Sequence, residues 1–176
     1  MEQLPGTCIL VPCFMHFVLS GSTFPSIEPK SKENELKAVR YFARLEEHRM
    51  RLLADQAPEG ATILLDRTVE TLVAHVFALG VWDEAFCDEC WDVITKCTAT
   101  CPKPEVTIHL VASPTVVKVR AAGRERLPAL LTEARFIDQF NGYFSAERRG
   151  DWPCTPVDAG AKAEEVAAAC REAICR

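Results

Sequence analysis

The sequence predicts an α/β fold built on a parallel sheet, and three observations carry that expectation. After residue 31, segments with helical spacing alternate with short apolar runs of strand type. The two clearest runs, 61–65 and 106–111, are apolar almost throughout, as strands buried on both faces are. The connections are short, so strand–helix–strand units with right-handed crossovers are expected. With 176 residues, 48% of them hydrophobic, the chain can bury one full core and is too short for two comfortable domains.

Each element has a local cause. Ser31 through Asp55 reads as a helix, with Ser31 suited to the N-cap and Glu33 and Glu35 placing negative charge in the first turn. Leu36, Val39, Phe42, Ala43, Met50 and Leu53 form its apolar stripe, and Arg40, Arg44, Glu47 and Arg51 form a charged one. Pro58-Glu59-Gly60 breaks the chain before the strand Ala61–Leu65, which stops abruptly at Asp66-Arg67. Helical spacing returns over Thr68–Gly80, and a further helix is expected over Asp83–Thr98, closed by Pro102 and Pro104. Val106–Val111 is the second strand, and Ser113-Pro114 opens the next helix as N-cap and N1 proline. Arg124-Glu125-Arg126 makes a charged turn, after which Pro128 starts a helix through Phe144. Cys154–Val157 reads as a third short strand. Asp158-Ala159-Gly160 then turns into a last helix that buries Val166, Ala169, Cys170, Ala173 and Ile174. Ligands of such sheets sit at the carboxyl ends of strands, which singles out Asp66-Arg67, Ala112-Ser113 and Asp158-Ala159.

Composition narrows the function classes. A net charge of −5, from 20 Lys plus Arg against 25 Asp plus Glu, lacks the basic footprint of a nucleic-acid binder. The apolar run Cys8–Leu19 has no basic region before it and is interrupted by Pro12, so it reads neither as an export signal nor as a membrane span. The expectation is a cytoplasmic protein with no nucleic-acid or membrane partner, its nine cysteines reduced. Cys87, Cys90, Cys97 and Cys101 invite a zinc reading, yet only the six residues Trp91 to Lys96 separate the two pairs. Zinc ribbons need a loop of about a dozen to fold back. On a helix the four would fall within about 80° of arc, near Trp91 and Ile94, with Cys87 and Cys101 about 21 Å apart. A buried cysteine stripe is the better reading, and zinc requires that the segment not be helical; no metal ligand is assigned. His75 lies off its apolar stripe and reads as surface, and His109 reads as a hydrogen-bonded core residue.

Asp-Arg at a strand end puts a carboxylate and a forked guanidinium at the mouth of the sheet, where they suit a phosphate and a metal-bound water or hydroxyl. Alone it is a common dipeptide that pairs with neighbours or caps a helix. In context, Thr62-Ile63-Leu64-Leu65-Asp66-Arg67-Thr68 resembles the Asp-Arg-X element of thymidylate kinases and related deoxynucleoside kinases. Glu105-Val106-Thr107-Ile108-His109-Leu110-Val111-Ala112-Ser113-Pro114 resembles their next strand, and Arg120, Arg124 and Arg126 stand where that family places its lid arginines. Leu127–Phe144 looks like the helix after the lid, and Pro156-Val157-Asp158-Ala159-Gly160-Ala161-Lys162-Ala163-Glu164-Glu165 is similar to the last strand and the adenine-facing loop. The resemblance runs from about Phe24 to the carboxyl terminus, with residues 1–23 an atypical amino-terminal segment ahead of a nucleotide-kinase-like domain over 24–176.

That resemblance implies a three-layer P-loop kinase fold and transfer of the γ-phosphoryl of ATP, with Mg²⁺, to a nucleoside or nucleoside monophosphate. It implies that Arg67 binds the acceptor's phosphate or 5′ end and that Asp66 places the attacking group or a hydrated Mg²⁺. Arg120, Arg124 and Arg126 would close over the phosphoryl group, and Asp158 and Ala159 would lie by the adenine. Arg40, on the charged stripe with Arg44 and Arg51, could face an anionic substrate, although Glu47 makes a self-neutralising surface the better reading. A homodimer is kept open as the assembly.

One departure matters. The chain contains no Gly-Lys dipeptide and hence no G-x4-G-K-[ST] loop; Ser20-Gly21-Ser22-Thr23 resembles the tail of one without its lysine. Either Cys8–Leu19 fills the central strand position irregularly, or the chain is an amino-terminally altered or truncated form. Losing one preorganised donor can raise a barrier by roughly 3–4 kcal/mol, and a missing cradle removes several. Two alternatives therefore stand beside the kinase: a catalytically inactive nucleotide- or phosphate-binding relative, and an interaction or zinc-binding module using the Cys87–Cys101 helix.

Overall fold

The computed structural model describes residues 7–17, 24–26, 31–79, 84–124, 128–145 and 153–175, with backbone alone for Met15 and 84–87. It is an α/β structure with short parallel strands and helices. The chain divides into two compact units, one within Met1–Val76 and Trp82–Pro102, the other within Phe77–Val81 and Lys103–Arg176.

In the first unit, β1 (Cys8–Val11) runs parallel to β2 (Thr62–Leu65), pairing Cys8 with Thr62 through to Val11 with Leu65. Parallel strands need a long crossover, and α1 (Lys32–Gln56) lies between them in the chain. The Ser31 hydroxyl caps α1, accepting from the Asn34 amide at 3.2 Å. Of the run Cys8–Leu19, only Cys8–Val11 forms a regular strand, which gives way to a 3₁₀ turn over Phe14–His16. Pro12 and Cys13, which no ladder bond holds, separate the two. Gly60, at φ 75°, supplies the left-handed turn that leads into β2.

α2 (Val69–Leu79) and α3 (Glu84–Thr98) follow. The core joins Phe14, Val39, Phe42, Ala43 and Leu45 to Leu72, Val76, Cys90 and Ile94. The cysteine-bearing segment is therefore helical to Thr98, with Cys90 and Ile94 turned into the core; Trp91, expected near that face, is exposed. The Cys87 side chain lies outside the described residues.

In the second unit, β3 (Thr107–Val111) runs parallel to β4 (Cys154–Asp158). Between them come α4 (Pro114–Ala121), a 3₁₀ turn over Ala129–Thr132 and α5 (Ala134–Phe144); α6 (Ala163–Ile174) closes the chain. The single helix expected from Pro128 to Phe144 is broken at Glu133, whose backbone is extended. The Thr132 hydroxyl donates to Ala129 O at 2.8 Å, a local bond that competes with helix continuation. The ladder's end bonds, Thr107 N–H to Pro153 O and Ala159 N–H to Val111 O, set the parity along β4. Pro156, which has no N–H, falls on the parity facing away from β3, as an edge strand allows.

The expected single sheet is thus two two-stranded ladders among the described strands. The strands are correspondingly less buried than their apolar sequences predict: Leu10 is 72% exposed, Leu110 52%, and Ile63 is also exposed. Among the described residues no helix is long and apolar enough to cross a membrane.

Glu35 stands in the first turn of α1 as expected, but on the face of the helix that is turned inward. It is buried on the core face of α1, its Oε2 has no hydrogen-bond partner among the described residues, and burial pushes its carboxyl from 4.5 up to about 7. A folded-state pKa above the unfolded one stabilises the protein fully below about pH 4.5, and that contribution is lost as pH rises through about 7. The rise corresponds to on the order of 3 kcal/mol. Glu35→Gln is accordingly expected to match the parent near pH 4.5 and to be about 1–3 kcal/mol more stable at pH 8. Urea unfolding at both pH values tests this, and a difference that does not change with pH would contradict it.

Candidate functional site at the strand ends

The carboxyl ends of β1 and β2 lie side by side, the Asp66 amide donating to Val11 O at 2.9 Å. Beyond this bond the first chain segment turns at Pro12 and the second must reach α2 within Arg67 and Thr68. Arg67 makes that turn at φ 60°, in the left-handed region. For a residue with a Cβ this costs about 1–2 kcal/mol.

The group that offsets the cost is Arg49, 1% exposed, projecting from α1. Its Nη1 donates to Pro12 O at 2.9 Å and to Asp66 O at 3.1 Å. Its Nη2 donates to Arg67 O at 2.7 Å and to Glu46 Oε1 at 2.8 Å. The guanidinium carbon stands 5.9 Å from the centre of the Phe14 ring, within cation–π reach. Each bond from a charged donor contributes about 1.5–3 kcal/mol, so three carbonyls together outweigh the strain at Arg67. Glu46 is the counter-charge: burial pushes its carboxyl up, and the Arg49 hydrogen bond and charge pull it back. Arg49 Nε has no hydrogen-bond partner among the described residues.

Arg49 was not among the residues singled out from the sequence, yet a signal existed. It lies seven residues after Phe42 and four after Leu45, on the apolar face of α1, with an acid three residues before it. A charged pair on the buried face of a helix points to a specific polar task there. Cys101 belongs to the same neighbourhood, its thiol pushed up by burial and by the Glu46 and Glu47 carboxylates.

Asp66 and Arg67 are exposed at this mouth, and α2 begins two residues later. Arg40 and Arg44 are exposed on α1, and Arg51 pairs with Glu47 at 2.8 Å, the self-neutralising surface expected of that stripe. The described residues after β1 do not fit the triphosphate of Mg·ATP. Cys13 and Phe14 are buried in the core, and the amides of His16 and Phe17 donate within the turn, to Cys13 O and Phe14 O. Ser20-Gly21-Ser22-Thr23 lies outside the described residues.

The other candidates belong to the second unit. Asp158 ends β4, its Oδ1 accepting from the Gly160 amide at 2.7 Å. A Cβ at Gly160 would stand 3.0 Å from that oxygen, so the turn is tight because glycine is there. Ala159 is buried. Ser113 caps α4, accepting from Val116 N–H at 3.3 Å. Arg120 is exposed in the last turn of α4, and Arg124 is exposed just beyond it; Arg126 lies outside the described residues. His109 is the hydrogen-bonded core residue expected. Asn141 Nδ2 donates to Ala112 O at 3.2 Å, leaving Oδ1 to accept from His109 Nε2 at 3.1 Å, while Phe144 stacks on the imidazole. His75, expected at the surface, is half-buried. A shallow groove of about 470 Å³ runs between β4 and α6, and Asp158, Glu165 and Glu172 on its walls repel a phosphate.

The structure thus brings Asp66 and Arg67 together with Arg49 in one unit, and Arg120, Arg124, Asp158 and Ala159 fall in the other. No protein-family model matches the chain, and no curated protein sequence matches it significantly.

The clamp has two separable consequences for stability. Arg49→Met leaves Glu46 buried without its counter-charge and should lower unfolding free energy by about 3–5 kcal/mol. Arg67→Gly removes the left-handed strain and should raise it by about 1 kcal/mol. Denaturant titrations of both variants check the pair; a neutral Arg49→Met would remove the clamp from the account.

Proposed function

We propose that this chain is a thymidylate-kinase-like nucleotide-binding protein that takes the phosphate of a nucleoside monophosphate at Arg67. The observation that carries the reading is the placement of an exposed arginine at the carboxyl end of a parallel strand, immediately before a helix amino terminus. A guanidinium there can form two parallel bonds to phosphate oxygens, and the positive end of α2 adds to the attraction. Asp66 beside it suits a substrate hydroxyl or a bound water. The resemblance of 62–68 to the Asp-Arg-X element supports the same assignment.

Binding without transfer is preferred because the residues described after β1 offer no phosphate cradle. Phosphoryl transfer from ATP is the second reading, favoured by the exposure of Arg120 and Arg124 at the end of α4, where the resemblance expects lid arginines.

Calorimetric titration with a panel of nucleosides and monophosphates separates the readings. The binding reading expects a monophosphate to bind in the absence of Mg²⁺ and to lose about tenfold or more in affinity in Arg67→Ala. ATP-dependent conversion of the same panel would instead select the transfer reading. If no monophosphate binds, or if Arg67→Ala binds as the parent does, the assignment of Arg67 is wrong.

A further inference from the structure

We infer that Arg49 is a positioning residue for the phosphate site: it sets the aim of Arg67 by holding the backbone on both sides of it. The inference rests on the proposed role of Arg67 and deepens it. Arg49 itself is buried and cannot touch a ligand at the mouth. Its action runs through the carbonyls of Pro12, Asp66 and Arg67, which it gathers from the ends of two strands.

The geometry explains why an arginine stands there. A guanidinium is planar, carries five donors in a fixed fork and stays charged at every working pH. Its two terminal nitrogens here divide the work, Nη1 bridging the ends of β1 and β2 and Nη2 bridging Arg67 O and Glu46. Glu46 keeps the fork in its plane, and Phe14 lies within reach of the guanidinium. Arg67 needs that support because its left-handed backbone is unfavourable for any residue with a Cβ. With the carbonyls released, the peptide can relax toward ordinary φ, which swings the Arg67 side chain away from the mouth. A functional side chain displaced by about 1 Å can lose much of its effect.

Lysine at position 49 keeps the charge beside Glu46 but replaces the planar fork with a single ammonium, which cannot span the same three carbonyls in the same geometry. Arg49→Lys is therefore expected to remain folded and to weaken thymidine monophosphate binding about tenfold, and Arg49→Met to weaken it further. The deciding arm is the double variant. If Arg49 acts through Arg67, Arg49→Lys has no further effect on binding in an Arg67→Ala background. If it serves only general stability, the two losses multiply, and the inference is overturned. Thermal melts run alongside ensure that each variant is folded at the assay temperature, and Arg49→Lys carries the test should Arg49→Met not fold. Binding by the parent that is lost in Arg67→Ala but unchanged in Arg49→Lys overturns the positioning role while leaving the phosphate site standing. No binding by the parent overturns the phosphate site, and the positioning role with it.

Discussion

The buried guanidinium of Arg49 joins three segments that the sequence keeps far apart: the loop after β1, the interior of α1 and the turn after β2. A short parallel pair of strands has little to hold its ends in place, since its ladder stops at the Asp66 amide. The guanidinium continues the cross-linking past the last ladder bond, and in doing so stabilises a left-handed residue in the exposed mouth. Everything assigned to Asp66 and Arg67 depends on that backbone staying where it is.

Two buried acids on one helix show how context decides whether a buried carboxylate is compensated. Glu46 has Arg49 as a partner, so its removal would strand a cation in the core. Glu35 sits three turns earlier on the same face, and its Oε2 has no hydrogen-bond partner among the described residues. Burial alone governs it, and its protonated form is the one the core favours. The first acid is structural through its counter-charge, the second a source of pH-dependent instability.

Much of the element order was legible because its causes are local. Ser31 and Ser113 announce helix starts through their hydroxyls, and the apolar runs at 61–65 and 106–111 end where the strands end. The break at Glu133 was not legible, because it turns on a Thr132 hydroxyl bonding back to Ala129. The number of partners per strand was also hidden, since Leu10 and Leu110 read as buried in sequence whether or not another strand covers them. At the site, Asp66-Arg67 could be read from the abrupt end of an apolar run. Arg49 could not be read by searching for chemistry at strand ends, because it comes from mid-helix. Its trace was a charge pair on an apolar face, which only a residue-by-residue reading of that face reveals.

The functional proposal and the fold meet at one bonded group, so that group is the place to measure. Side-chain ¹⁵N–¹H spectra of the uniformly labelled protein report on each guanidinium separately. Arg49, held by three carbonyls and a carboxylate, should show individually resolved Nη protons that exchange slowly with water and disappear from the spectrum in Arg49→Lys. Averaged, fast-exchanging signals for every arginine would mean that no guanidinium is clamped, and would contradict the account.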